Sequence, residues 1–551
     1  MLVATLFTAA AGEFTFSAGP PAQVGPSDAR YASMPSVDGR KTLVGGQVTK
    51  FTGTVVDVTS PVHDATTGAR AVIGSMAQMG ADEAVAAVEA ASVAWAGGQG
   101  VWPQMPLSER IAAIEEVVRE LRGRRDAIVN VLMWEIAKTS KDAAAEFDRT
   151  MDFVGKTIST LRELDAQTAS WRTVGGVLAW VRRAAIGIMM LLGPYNYPFN
   201  ETYAVLIPAL LMGNCVVMKL PAIGGLAHIL TMETFAKVLP PGVVNFVSGS
   251  GRATVAPVMR TGLVDALALI GGSKTADAVM REHPAPHRLR TFLQLDAKNV
   301  GIVTAGAPLD VAVAQTVVGS TSYNGQRCTA IKLILAHASV AEEFIAKFVP
   351  AVAALRAGLP WDDGVAITPL PEPNKPAYLQ ELVADAVAQG AAVLGGGTLG
   401  GALLAPTVVY PVRPGMRLWA EEQFGPVIPI GTYSDDAELA AYFRSAPFGQ
   451  QAALFVGDAA AAAPLVDLLS STVGRININT QCGRSPDELP FSARRSSALG
   501  TMSVSEALRA FSTETLVAAK DSELNGAVTA ALAASSKFMA PLAEGSDPRE
   551  L

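Results

Sequence analysis

Cys328 stands in the run Ser322-Tyr323-Asn324-Gly325-Gln326-Arg327-Cys328-Thr329-Ala330, between an arginine and a threonine and just after a glycine. A thiol attacks a carbonyl as its thiolate, and a neighbouring cation or a helix start favours that form. Arg327 is therefore expected to draw Cys328 toward ionisation. A free cysteine is also a common small core filler, so the reading depends on the rest of the chain. Two glycine-bearing turns suit phosphate. Gly249 lies in Ser248-Gly249-Ser250-Gly251-Arg252, and Gly272 with Ser273 in Gly271-Gly272-Ser273-Lys274. Glycine lets backbone approach a phosphate, and a following helix start supplies free N–H groups. Neither run completes a G-x-G-x-x-G spacing, and ordinary strand-to-helix turns also use glycine. Lys219 closes an apolar run, Cys215 to Leu220. A cation at the carboxyl edge of a parallel sheet sits where nucleotides bind, or is simply an exposed strand end.

These residues need a frame. Lys41 to Val58 alternates and reads as short strands. Ala81 to Gly97, Leu107 to Ala127 and Ile128 to Thr160 have helical spacing, with Ser108 a candidate cap for the second. Strands at Arg182–Pro194, Asn214–Leu220, Val243–Val247, Ala266–Ile270 and Asn299–Val303 alternate with helices at Asn200–Met212 and Leu226–Leu239. A second alternating block follows from Asp310 to Ser470. Such alternation predicts an α/β fold with parallel sheets. An Ala-rich helix is expected over Asn525–Phe538.

Composition narrows the class. The 551 residues are half hydrophobic and carry a net charge of −7, enough chain for two or three cores and too acidic for nucleic acid as the main partner. Cys215, Cys328 and Cys482 are too few for a disulfide framework, and five histidines with no Cys/His cluster at ligand spacing argue against a metal site. His283 and His287 flank Pro-Ala-Pro, which predicts a turn. No apolar run approaches the ~18–20 residues of a membrane span. Met1 to Pro20 is apolar but lacks the basic start and cleavage pattern of a secretory signal, so a cytoplasmic location is expected, with an organellar address left open.

Taken together, several motifs resemble the aldehyde dehydrogenase superfamily. They are Gly193-Pro194-Tyr195-Asn196-Tyr197-Pro198, Val216-Val217-Met218-Lys219, Gly272-Ser273, Lys298-Asn299, Gly325-Gln326-Arg327-Cys328, Glu422-Gln423-Phe424-Gly425-Pro426 and Pro490-Phe491. They occur in the family's order across about residues 40 to 520. The cysteine run and the Asn196-Tyr197 pair are similar to the branch of NADP-dependent, non-phosphorylating glyceraldehyde-3-phosphate dehydrogenases. The resemblance implies a Rossmann-type nucleotide domain (1–159 and 184–297), a catalytic α/β domain (298–492), and a small oligomerisation sheet from 160–183 and 493–551, with a homodimer or homotetramer expected. It implies that Cys328 attacks the aldehyde, that Asn196 and the Cys328 N–H hold the oxyanion, and that hydride transfer leaves a thioester. Lys219, Gly249, Gly272, Ser273, Glu422 and Phe424 would face the cofactor. The family's acidic residue after the strand lysine is absent from Lys219-Leu220-Pro221-Ala222-Ile223, which favours NADP over NAD. Tyr197, Arg327 and Arg484 would take a phosphorylated aldehyde, since guanidinium donors fit phosphate oxygens. Arg149 and Arg162 are weaker candidates, read as helix-surface or salt-bridge arginines.

One position departs from the family. Its general-base glutamate is Gln294 here, and an amide cannot take a proton from water. If Leu293-Gln294-Leu295-Asp296 is extended, Asp296 shares a face with Gln294 and could substitute. The alternatives are transfer of the thioester to an external thiol such as coenzyme A, or a catalytically weak binding or scaffold protein.

Overall fold

The computed structural model describes residues 21–542; the Met1–Pro20 stretch lies outside the described residues. Two large sheets organise the chain. The first has eight strands. Its parallel centre is Arg290–Gln294, Ala266–Ile270, Ile188–Leu192, Cys215–Lys219 and Val244–Val247, in that spatial order. These segments are almost continuously apolar because helices cover both faces. On one face the Ala81–Trp95 helix packs with Val217, Val247 and Leu267. On the other lie Pro198–Leu211, Leu107–Arg122 and Ser140–Thr168.

The second sheet has seven strands, with Val427–Tyr433, Ile331–His337, Asn299–Val303, Gln451–Phe455 and Arg475–Ile478 running parallel. A third sheet of three antiparallel strands, Ser512–Lys520, Val177–Ala185 and Arg172–Val174, stands apart from both. Val174, Val177 and Leu516 on it are exposed. The α/β expectation holds.

Several boundaries differ from the sequence reading. Arg182–Pro194 is two strands, not one: Val177–Ala185 joins the three-stranded sheet and Ile188–Leu192 the eight-stranded one. The break falls at Gly187, where a Cβ would stand 2.0 Å from Asp265 Oδ2. Asn214 Oδ1 takes the N–H groups of Ile186 and Gly187 there. Residues 160–168 belong to the Ser140–Thr168 helix, so the small sheet starts at Arg172. That helix is capped by Thr139, whose side chain accepts from Asp142 N. Ser108 is not a cap; it lies inside the Leu107–Arg122 helix, which Pro106 precedes. The C-terminal helix spans Glu523–Ser535. His283 sits at the expected turn, bonded to the Val264 carbonyl at 3.0 Å.

Candidate active site

A cavity of about 1550 Å³ opens between the carboxyl end of the first parallel sheet, the side on which open α/β sheets bind ligands, and the amino end of the second. Asn196, Tyr197, Gly272, Gln294, Asp296, Arg327, Cys328, Glu422, Phe424 and Arg484 all line it. Lys219, Gly249 and Ser273 do not, although Ser273 adjoins it through Gly272 and Lys274.

Cys328 follows a short helical turn, Ser322–Gly325, in which Tyr323 and Asn324 adopt left-handed backbone. Asn324 is held there by Thr368, whose carbonyl and hydroxyl accept from its amide and whose N–H donates back to it. Asn196 precedes the Pro198–Leu211 helix and donates to the Gln326 carbonyl at 2.8 Å, pinning that helix start to the cysteine loop. Lys332 Nζ donates to the Cys328 carbonyl at 2.9 Å, and Asn299 Nδ2 donates to it at 2.7 Å.

The expectation that Arg327 ionises Cys328 is overturned. The Arg327 guanidinium points away, to the Gly319 carbonyl and Gln481 Oε1. Burial pushes the Cys328 thiol from its ordinary 9.0 up to about 11, and Glu201 adds to the rise, while Lys332 and Arg484 oppose it. The resting group is therefore the thiol, half-buried in the cavity wall.

Gln294 ends its strand 5% exposed, and neither its amide oxygen nor its nitrogen has a hydrogen-bond partner among the described residues. A buried amide left bare in a cavity wall marks a place where ligand or water completes the bonding. The alternation argument for Asp296 fails because the strand stops at Gln294. The Asp296 carboxylate instead accepts from Ser273 N at 2.7 Å and Ser273 Oγ at 2.6 Å, capping the Ser273–Arg281 helix.

On the cofactor side, Glu422 Oε1 accepts from Ala297 N at 3.2 Å and lies 2.5 Å from Lys332 Nζ. Phe424 has φ +46° and meets Tyr195 edge-on at 5.9 Å. Lys219 ends its strand with no partner among the described residues, and burial lowers its ammonium to about 8. An unpaired, half-buried cation at that edge fits an anionic ligand. Gly249 has a structural reason of its own: at φ +114° a Cβ would come within 2.8 Å of the Met79 carbonyl.

On the substrate side, Arg484 is 7% exposed and its two terminal nitrogens make no aligned hydrogen bond. Its charge is met by Glu201, 2.5 Å from Nη1, and by Asp487, 3.3 Å from Nε. Asp487 in turn accepts from Arg149 at 2.8 Å. Arg149 is thus a salt-bridge residue that also lines the cavity. Arg162 is outside the cavity lining and pairs with Glu115. Tyr197 rests on the fully buried Lys138, whose Nζ is 3.2 Å from the ring centroid, and Lys138 pairs with Glu146. Glu146 also accepts from Phe199 N and Asn200 N, capping the helix that Asn196 leads into.

The sequence reading missed Glu201, Lys332 and the Lys138–Glu146 pair. A lysine inside the apolar run Ile331–Ala336 was a readable signal, since a buried cation needs a partner. Nothing in the local sequence marks Glu201, which sits between Asn200 and Thr202 in the polar first turn of an otherwise apolar helix.

The fold and a cysteine–asparagine pair in the cavity define an aldehyde-oxidising type of enzyme, and the comparisons agree. Residues 52–517 match the model of the aldehyde dehydrogenase family. The chain belongs to that family. It is 30% identical over 420 residues to the NADP-dependent glyceraldehyde-3-phosphate dehydrogenase of Streptococcus equinus, covering 75% of this chain and 87% of that protein. It is 28% identical over 500 residues to the vanillin dehydrogenase of Corynebacterium glutamicum, covering 89% and 100%. The crystal structure of the NADP-dependent glyceraldehyde-3-phosphate dehydrogenase of Bacillus halodurans, complexed with NADP, superposes with a TM-score of 0.79 at 30% identity, covering 87% of this chain and 99% of that one.

Proposed function

We propose that this enzyme oxidises a phosphorylated aldehyde with NADP to the free acid, with glyceraldehyde 3-phosphate the first substrate to test. The observation that carries the reading is Arg484: a buried guanidinium in the cavity of Cys328 and Asn196, beside Glu201 and Asp487, whose terminal nitrogens make no aligned hydrogen bond. Guanidinium donors of that kind match the oxygens of a phosphate. NADP is the cofactor, and Lys219 is the residue to take its 2′-phosphate because no acid in the following run repels it. When bound, NADP accepts the hydride.

The protein supplies the rest. Cys328 releases its proton to solvent in the open cavity and bonds through sulfur to the aldehyde carbon. Asn196, which already points its amide at the cysteine loop, and the Cys328 N–H stabilise the oxyanion, a contribution worth about 3–4 kcal/mol per donor in comparable sites. Loss of hydride leaves the acyl group as a thioester on Cys328.

Gln294 favours a second reading, transfer of that acyl group to the thiol of coenzyme A, because it cannot activate water. The test is NADPH formation with glyceraldehyde 3-phosphate in the absence of inorganic phosphate and coenzyme A, wild type against Cys328→Ser. Formation of the free acid by wild type alone supports the first reading; a dependence on coenzyme A supports the second. The exposed apolar residues and open edge of the Ser512–Lys520 strand support assembly into a homodimer or homotetramer through the three-stranded sheet, which sedimentation of the wild type and Leu516→Lys would reveal.

A further inference from the structure

The base missing at position 294 has a counterpart on the helix that Asn196 leads into. Five carboxyl groups line the cavity: Glu201, Asp296, Glu372, Glu421 and Glu422. Four are committed. Asp296 accepts two hydrogen bonds from Ser273, and Glu422 is held by Lys332 and Ala297 N. Glu421 takes both Arg417 Nε at 2.8 Å and Nη2 at 3.0 Å. Glu372 takes the Tyr195 hydroxyl at 2.8 Å and lies 2.9 Å from Lys375 Nζ. Glu201 accepts no hydrogen bond among the described residues. Its ion-pair partner is Arg484, whose Nη1 stands 2.5 Å away without an aligned hydrogen bond.

Its placement matches its freedom. Glu201 lies in the first turn of the Pro198–Leu211 helix, and the Asn196–Gln326 bond pins that turn to the cysteine loop. Glu201 lines the same cavity as Cys328, and its charge is among those that raise the thiol. The bare amide of Gln294 lines the same cavity and can hold a water without deprotonating it.

We infer that Glu201 is the general base that takes a proton from the water attacking the Cys328 thioester, a role that rests on the thioester chemistry proposed above. Water oxygen bonds to the acyl carbon as its proton passes to Glu201. The tetrahedral oxyanion then collapses, the carbon–sulfur bond breaks, and the Cys328 thiolate recovers the proton from Glu201. The acid then loses its remaining proton to solvent and leaves as its carboxylate, and no electrons are exchanged in this half of the reaction. Arg484, Arg149 and Lys138 are the cations that face Glu201, with Asp487 the other acid beside them.

The test needs neither NADP nor the physiological aldehyde. The full-length protein is acetylated on Cys328 with p-nitrophenyl acetate and desalted, and loss of the acetyl group is followed by intact-mass spectrometry. Cys328→Ser serves as the control for the site of acylation. The acetyl-enzyme of Glu201→Gln should persist about 10²–10⁴-fold longer than that of wild type, the range a general base provides. Glu201→Asp should fall between the two, and Glu201→Gln with Gln294→Glu should regain rapid loss. Equal lifetimes in wild type and Glu201→Gln would overturn the assignment. So would a Glu201→Gln protein that cannot be acetylated where wild type is, because the carboxylate would then serve assembly of the site. If the lifetimes behave as expected but no NADPH forms with glyceraldehyde 3-phosphate, the substrate reading fails while Glu201 keeps its role.

Discussion

Lys332 ties Glu422 to Cys328: its Nζ donates to the Cys328 carbonyl at 2.9 Å and stands 2.5 Å from Glu422 Oε1. One buried lysine thus sets both the cysteine loop and the carboxylate that the family resemblance assigns to the cofactor. Lys332→Met would leave Glu422 buried without its countercharge, and breaking a buried pair this way costs about 3–5 kcal/mol. Thermal unfolding should shift sharply downward, and calorimetric titration should show NADP binding weakened at least about tenfold, in keeping with one lost ionic contact. An unchanged NADP affinity would mean that Glu422 does not meet the cofactor.

Alkylation of Cys328 should be slow at neutral pH and speed up with pH. With the thiol raised to about 11, the thiolate fraction climbs about tenfold per pH unit below that value. Iodoacetamide inactivation of the free enzyme between pH 7 and 9 should follow this slope. The sign for stability is fixed by the same shift. The folded state favours the neutral thiol, so this contribution is whole below the unfolded value of 9.0 and is lost as pH rises toward 11. Cys328→Ser should remove that alkaline loss. A pH-independent alkylation rate would show that the thiolate is already present.

Lys219 should make NADP affinity fall at alkaline pH. In the free protein its ammonium is lowered to about 8 by burial. It carries its charge below that pH and loses it above, so attraction for a 2′-phosphate declines as pH rises through 8. Lys219→Met should weaken NADP about 10-fold or more while leaving NAD little changed, the effect of removing one phosphate contact. Fluorescence titrations of both cofactors at pH 7 and 9 measure it. Equal losses for NAD and NADP would move Lys219 away from the phosphate.

Asp296→Asn should keep deacylation intact. The Asp296 carboxylate is spent on capping the Ser273–Arg281 helix, and weakening a cap costs about 1 kcal/mol. A small drop in melting temperature with an unchanged acetyl-enzyme lifetime is expected. A lifetime lengthened a hundredfold would return the base to Asp296.

Much of the fold could be read from local pattern. Ile188–Leu192 and Ala266–Ile270 are apolar throughout, as strands covered on both faces tend to be, and the alternation with helices announced parallel sheets. The Arg182–Pro194 boundary was not legible, because what splits it is the approach of Asp265 to Gly187, a residue 78 positions away by the numbering. Asn196, Cys328, Gln294 and Phe424 were placed together by their motifs, and they do share one cavity. The Arg327 expectation failed because adjacency in sequence does not aim a side chain: the guanidinium turns to Gln481, 154 positions along the chain.

The chain by itself determined its family, its parallel sheets and the cysteine motif that lines the cavity, because these follow from residue types and spacings that survive in one dimension. Only the tertiary structure decided the protonation of that cysteine and which carboxylates share its cavity. Burial sets the first. The second comes from a helix turn held against the Cys328 loop, where Asn196 and Tyr195 both bond Gln326.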